Sequence, residues 1–398
     1  MPRLAVIGAG AAGCFCTAEL KKKAPGLPVS IFESAPKPMA KLSVTGGGRC
    51  NLSNSFEGIR SLSEAYPRGE RLIGRALKAF SPEDAVRWFE AEGIPLVLQE
   101  DHCWFPRSQK AMDIVRCLER HLQGADLRLH TSVKRIEPAG GSGYLVDGEA
   151  FDYVVVTSGG AVRGLSFLAP LELEMVPPVP SLFTLTVPDP ALRSLMGLVV
   201  DASVSLPATR FSASGPLLIT DWGLSGPATL KLSSYAARYL AERQYKGSVS
   251  VNWMGASESE ARALLQRLSD GNPQKQLSNT PPLQQRLWNH LLSRAGLREG
   301  LRWAEAGSKG LNRLTSVLIN DIYPLAGKSR FREEFVTAGG VSLSNIDLST
   351  LECKRHKGLY FAGEVLDIDA ITGGFNLQAA WSTGYVCAQS ILKAVQSG

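Results

Sequence analysis

The residues Gly8-Ala9-Gly10-Ala11-Ala12-Gly13 carry three glycines at GxGxxG spacing, between an apolar run from Leu4 to Ile7 and a stretch of helical composition from Ala11 to Lys23. In a strand–turn–helix the first glycine permits the tight turn and the second lets a pyrophosphate approach the backbone. The third allows the helix to pack closely on the strand, and the N–H groups that open the helix, here around Ala11 and Ala12, face negative charge. Glu33 stands twenty residues beyond Gly13, at the end of a second apolar run from Val29 to Phe32. An acid there can accept hydrogen bonds from a ribose. Its bland alternative is a solvated strand end. Strand, turn, helix and acid in one register predict a bound dinucleotide.

Two further glycine clusters qualify that expectation. Gly358-Leu359-Tyr360-Phe361-Ala362-Gly363-Glu364 reads as a buried strand ending in Gly-Glu, followed by Thr372-Gly373-Gly374-Phe375-Asn376-Leu377 and a helix from about Gln378. A glycine turn at a helix start directs backbone N–H groups at the flavin edge where charge collects on reduction, so the pair points to FAD with its flavin on the later segment. The alternative is a C-terminal strand and helix with no ligand. Between the ends lies Thr45-Gly46-Gly47-Gly48-Arg49-Cys50-Asn51, where glycines before an arginine suit phosphates or a planar ring, with Arg49 matching an anion.

The elements that must position these groups span a chain of 398 residues, long enough for two or three domains. Helices are predicted at Glu70 to Phe80, at Pro82 to Ala91 behind Ser81 as N-cap, and around Met112 to Leu122. Short strands follow at Leu127 to Thr131, Val133 to Ile136, Tyr144 to Val146 and Tyr153 to Thr157. After Pro177-Pro178-Val179-Pro180 the chain turns strand-rich to about 253, with one helical stretch near 227 to 243, and then helical from Ser257 to Asp321. The expected fold class is α/β. A Rossmann-like FAD-binding domain forms from both chain ends (1–180 and 334–398), interrupted by a β-barrel-like lobe (181–255) and a small helical lobe (256–333).

Bulk properties narrow the class. No apolar run approaches the ~18 residues of a membrane span, and no signal-peptide pattern opens the chain, which reads as cytoplasmic. Seven scattered cysteines without CxxC and five dispersed histidines argue against a disulfide framework and against a metal site. The net charge of +6 equals that of the stretch from Arg286 to Arg332 alone, with nine basic residues against three acids. That stretch is either a solvated helical surface or a footprint for a polyanion such as ribosomal RNA.

With GAGAAG at 8–13, TGGGRCN at 45–51, Gly223-Leu224-Ser225-Gly226-Pro227, Ala338-Gly339-Gly340-Val341 and GLYFAGEVLD…TGGFNLQAAWSTG at 358–384, the sequence resembles the HI0933-like family of bacterial FAD-binding flavoproteins. The resemblance implies NAD(P)H-driven reduction of an activated C=C bond, in a steroid-like enone in one branch and in a uracil of ribosomal RNA in another. Hydride would pass from the flavin to one carbon and a proton to its neighbour from a general acid. After Thr157-Ser158-Gly159-Gly160 the glycine- and aspartate-rich turn of relatives is shortened here, which puts any contact made there in question.

The cofactor site is accordingly expected to include Gly8, Gly10, Ala11, Ala12, Gly13, Glu33, Lys41, Gly47, Gly48, Arg49, Cys50, Asn51, Val133, Ser158, Gly159, Gly160, Gly363, Glu364, Gly373, Gly374, Phe375, Asn376 and Leu377. Cys50, flanked by Arg49 and Asn51, is the candidate general acid, since a nearby cation would tune its thiol. Equally it reads as a small buried residue packed under the flavin. Two other readings stay open at this point: a flavin oxidase of a small amine or ketone, and a non-catalytic flavin-bound RNA- or protein-binding module.

Overall fold

A computed structural model describes residues 1–160, 164–328 and 336–397. They form two compact units, Met1–Val179 with Val336–Gly398, and Pro180–Phe335.

The first unit is built on five parallel strands, β1 (Leu4–Ile7), β2 (Val29–Phe32), β3 (Asp126–Arg128), β4 (Tyr153–Val156) and β5 (Leu359–Phe361), in the order β5-β4-β1-β2-β3. Helices cover such a sheet on both faces, so its central strands are continuous apolar runs rather than alternating ones. β1 is buried at every position, as is β2, whose single polar residue is Ser30. Ile7 pairs in register with Phe32 and with Val156, and Val156 with Phe361. Gly8, Glu33, Thr157 and Ala362 therefore leave the sheet together at its carboxyl edge, where open α/β sheets bind ligands.

Helix α1 (Ala11–Lys23) is buried continuously from Ala12 to Leu20, sheathed on the sheet side and by the C-terminal helix α2 (Phe375–Ser397). Phe15 meets Trp381 at 5.4 Å between ring centroids, and a side chain at Gly384 would come within 2.9 Å of Ala12 O, so glycine is what lets the two helices close. The Pro82–Ala91 helix opens as expected, with Ser81 Oγ accepting from Asp84 N–H and Asp84 accepting from Ser81 N–H.

The second unit carries a seven-stranded antiparallel sheet. Its order is Asp321–Leu325, Gly247–Asn252, Val199–Ser205, Ser212–Thr220, Gly223–Ser225, Leu185–Thr186, Gly327–Lys328. The two outermost strands are separated by Ala326 alone, so the sheet curls back on itself. Helices Glu258–Gly271, Gln285–Arg294 and Trp303–Ile319 follow. Their Leu265, Trp288, Leu291, Trp303 and Leu314 share one core with Val204, Leu217, Ile219 and Trp253 of the strands. The expected separate helical lobe is thus a correction: strands and helices of 180–335 make one unit, because the helices bury their apolar faces on the sheet.

Two other expectations shift. The strands placed at Leu127 to Thr131 and Val133 to Ile136 are shorter and lie at Asp126–Arg128 and Ile136–Pro138. The chain leaves the ladder because His130 and Thr131 donate instead to Ala35 O and Glu33 O, with His130 at φ +53°. The shortened element after Gly160 begins with Ala161, Val162 and Arg163, outside the described residues, as are Arg330, Arg332 and the 333/334 boundary.

Candidate functional site

The GxGxxG turn shows three different glycine environments. A Cβ on Gly8 (φ +105°) would stand 2.6 Å from Thr157 O, and one on Gly13 would stand 2.2 Å from Gly8 O and 2.5 Å from Thr157 Oγ1. Gly10 meets nothing within 4 Å. The outer glycines are therefore locked by packing, and the middle one faces open space where a pyrophosphate can reach the backbone. Gly10 is also the N-cap of α1 and offers no side-chain cap, so the helix start keeps its free N–H groups for an anion. Glu33 sits beside this turn, its Oε2 accepting from Ala9 N–H and its Oε1 from Ala35 N–H, both at 2.8 Å. Thr157, not singled out in the sequence, ties the sheet edge to the turn by donating to Gly8 O at 2.8 Å.

The TGGGRCN segment is a tight turn rather than an open loop, with Gly46, Gly47 and Gly48 at φ +57°, +69° and +82°. Three successive left-handed residues demand glycine. Nothing lies within 4 Å of a Cβ on Gly47 or Gly48. Arg49 donates through Nε to Gly46 O at 3.1 Å and lies over the Phe105 ring at 4.6 Å. The Asn51 amide donates to Ser53 O at 3.1 Å and accepts from Gly374 N–H at 3.2 Å. Asn54 adds a bond to Gly373 O at 2.9 Å. These two asparagines join the N-terminal glycine turn to the C-terminal one, although 319 residues of chain separate Asn54 from Gly373. The N-x-x-N spacing in the sequence was the available signal for Asn54.

A third cluster gathers at Gly363 and Glu364. Gly363 abuts α1, since a Cβ there would lie 2.9 Å from that of Ala12. Glu364 accepts from Thr337 N–H at 2.8 Å and from the Gly160 backbone, with Lys41 Nζ at 3.8 Å. Burial pushes the Glu364 carboxyl up, and Lys41 pulls against it. The Thr337 hydroxyl beside it is buried and has no hydrogen-bond partner among the described residues. A buried orphan hydroxyl next to a carboxylate, on the rim of an open glycine cradle, fits a polar ligand such as the chain of a dinucleotide. Thr337 carries no motif and was invisible in the sequence. Gly159 is open, and Gly160 is closed by Glu364 and Thr337 at 2.5 Å each.

Residues 2–390 match the family described as HI0933-like protein Rossmann domain. The chain belongs to the HI0933-like family. It is 27% identical to a 3-dehydro-bile acid delta(4,6)-reductase of Clostridium scindens, over 98% of this chain and 99% of that one. It is 28% identical to a ribosomal RNA dihydrouridine synthase of Escherichia coli, over 98% of each. A solved 3-ketosteroid delta1-dehydrogenase from Sterolibacterium denitrificans shares the fold, with 12% identity, TM-score 0.51 and 99% of both chains covered. The HI0933-like chain is a flavoprotein oxidoreductase with a Rossmann fold. Among the described residues, no helix is long and apolar enough to cross a membrane.

Other predicted site residues of this HI0933-like chain take supporting positions. Cys50 is fully buried with φ +64°, and burial pushes its thiol up to about 12. In this structure the thiol is closed off from solvent and holds its proton. Phe375 is buried against Phe56 and Tyr66, Asn376 brackets Ala370 through its N–H and O, and Leu377 is half-buried at the start of α2. Ser158 is exposed at the sheet edge, and Val133 is half-buried two residues past Thr131, whose N–H donates to Glu33 O.

In the basic stretch, read from the sequence as a solvated surface or a polyanion footprint, several arginines are engaged within the unit. Arg294 donates to the buried Asp321 at 2.5 and 3.0 Å, Arg298 pairs with Glu305 at 2.8 Å, and Arg302 caps its helix through Glu305. Arg294 is thus tied to a buried carboxylate, whereas the side chains of Arg298 and Arg302 remain exposed.

Proposed function

We propose that the protein binds FAD in the first unit and uses NAD(P)H to reduce a C=C bond conjugated with a carbonyl, in a uracil of ribosomal RNA or in a small-molecule enone. The observation that carries the proposal is the glycine set of one unit: Gly8 and Gly13 locked, Gly10, Gly47, Gly48 and Gly159 open, around the carboxylates of Glu33 and Glu364. FAD has two halves, and this unit offers a cradle to each. The names of the two relatives describe one chemistry, saturation of a carbon–carbon bond conjugated with a carbonyl, and this supports the reaction class.

In this reading Gly10 and the start of α1 hold the pyrophosphate, Glu33 the adenosine ribose, and Glu364 with Thr337 and Lys41 the polar chain. FAD held there would supply hydride transfer from a nicotinamide to one carbon of the double bond, with the neighbouring carbon taking a proton that derives from solvent. Asn51 and Asn54 fix the Gly373–Gly374 turn against it, and Arg49, exposed above Phe105, offers its remaining N–H groups to an anionic portion of nicotinamide or substrate. Cys50 packs the turn.

The test is a pair of anaerobic half-reactions on purified holoprotein. NADPH is expected to bleach the visible flavin band, and a 3-oxo-Δ4 steroid or a uridine-containing ribosomal RNA fragment to restore it, with the saturated product found by mass. If only oxygen restores the band, the protein is an oxidase and the proposal is wrong.

A further inference from the structure

We infer that the second unit holds a nucleic-acid contact at one end of its curled sheet, a cationic–aromatic pocket that takes a phosphate of single-stranded RNA together with an adjoining sugar or base edge. This rests on the RNA branch of the proposed function, and it moves the contact away from the arginine-rich segment.

The pocket is a cavity of about 250 Å³ lined by Leu206, Pro207, Tyr239, Arg243, Lys246 and Leu325, among others. Topology brings these together: Gly247 pairs with Leu325, and Ser205 pairs with both Ser212 and Ser250. The 206–211 turn, the 243–246 turn and the end of Asp321–Leu325 therefore meet at the same end of the sheet. Arg243 and Lys246 are both exposed, and none of the lining residues is acidic. Arg243 makes a rim ion pair with its neighbour Glu242 at 3.6 Å, with side chains 48% and 73% exposed. Lys246 has no ion-pair partner among the described residues. This contrasts with Arg294, whose carboxylate partner is buried.

The aromatic component separates RNA from other polyanions. The Arg243 guanidinium lies 3.7 Å from the Tyr239 ring centroid, and Tyr239 lies 5.6 Å from the half-buried Phe211 ring. On the adjoining turn, Lys328 Nζ sits 5.6 Å from the Tyr245 ring. A guanidinium held over a tyrosine ring joins a phosphate-binding charge to a stacking surface, the combination found in single-strand binding grooves. An acidic peptide would use the cations and gain nothing from the rings. The volume is also below the ~300 Å³ at which pockets begin to enclose drug-sized ligands, so a fragment of a chain fits and a whole nicotinamide cofactor does not. Between the two cations, Gln244 and Tyr245 stand at φ +54° and +60°, left-handed at non-glycine residues, which fixes how the turn presents Arg243 and Lys246.

The test uses full-length, FAD-loaded protein and a labelled single-stranded ribosomal RNA fragment, with affinity read by anisotropy across a salt series. The double variant Arg243→Gln/Lys246→Gln is compared with Lys309→Gln/Arg313→Gln, which removes the same charge from exposed positions of helix Trp303–Ile319. The pocket variant is expected to bind RNA about tenfold more weakly, with the log–log salt slope shallower by about 1.4, the value for two phosphates on a single strand. The control is expected to shift neither by more than about twofold, and both should keep the parent's FAD content. Equal weakening in the two variants, or none in the pocket variant, overturns the proposal, as does displacement of the RNA by polyglutamate at matched charge. If the parent forms dihydrouridine and the pocket variant does so equally well, the pocket is wrong and the RNA substrate stands. Should the parent bind RNA no better than a protein of similar charge while still saturating an enone, the RNA branch itself falls.

Discussion

Gly10 and Gly13 belong to one motif, yet their surroundings predict opposite failures. A Cβ on Gly13 collides with backbone at Gly8 and with Thr157, so Gly13→Ala is expected to lower stability by about 3 kcal/mol, the upper end for overpacking, and to lose cofactor as a consequence. Gly10→Val points into open space and should leave the thermal midpoint of the cofactor-free protein within about 2 °C of the parent while abolishing FAD binding. Thermal unfolding with and without FAD checks both, and a Gly10→Val protein that retains stoichiometric flavin would contradict the assignment. Cys50 gives a pH signature. Burial raises its thiol from an ordinary 9.0 to about 12. Below pH 9 both states hold the proton and this residue adds no slope. From 9 to 12 the unfolded chain releases it and the folded chain does not, so stability falls as pH rises. Cys50→Ala should make the alkaline slope shallower by this residue's share, Cys103 and Cys117 contributing theirs, and keep substrate-driven flavin reoxidation within about threefold; a loss of a hundredfold or more would make the thiol the acid after all. The glycines could be singled out in the sequence because tight turns restrict which residues can stand there, and Glu33 because of its spacing from Gly13 at the end of the second strand. Thr157 and Thr337 were not, since each depends on what a distant segment brings beside it, and for Cys50 the sequence left a buried packing residue and a general acid equally open.

At the scale of elements, the arginine-rich stretch shows why charge counting misleads. Asp321 is 2% exposed and accepts from Arg294, from Trp253 Nε1 at 3.0 Å and from the Tyr323 hydroxyl. Replacing Arg294 by Gln strands that carboxylate, and a cost of about 3 kcal/mol is expected, at the lower end for breaking a buried pair because Arg294 is 32% exposed. Denaturant unfolding of the variant measures it, and an unchanged midpoint would show that the pair adds nothing. The sequence shows nine cations between Arg286 and Arg332, but periodicity carries no information on which of them turn inward. Where local signals were strong, as at Ser81-Pro82 or the apolar runs of β1 and β2, element bounds could be read directly. Where tertiary bonds intervened, as at His130 and Thr131, strands ended earlier than their composition implied.

At the scale of the molecule, the first unit depends on both ends of the chain, because β5 and α2 complete the sheet and helix layer begun by β1 and α1. Asn51, Asn54 and Glu364 then link cradles that are hundreds of residues apart in sequence. The proline run at 177–180 marked a change of texture in the sequence, while the packing of strands and helices of the second unit on one core depends on residues far apart in the chain. The central claim is that this unit binds a flavin dinucleotide. Its most direct test is to heat the purified yellow protein and identify the released cofactor by chromatography and mass. One equivalent of FAD is expected, since the Gly8–Gly13 turn and Glu33 make a site for the adenosine half. Release of FMN alone, or a colourless protein that takes up no FAD, would contradict the account.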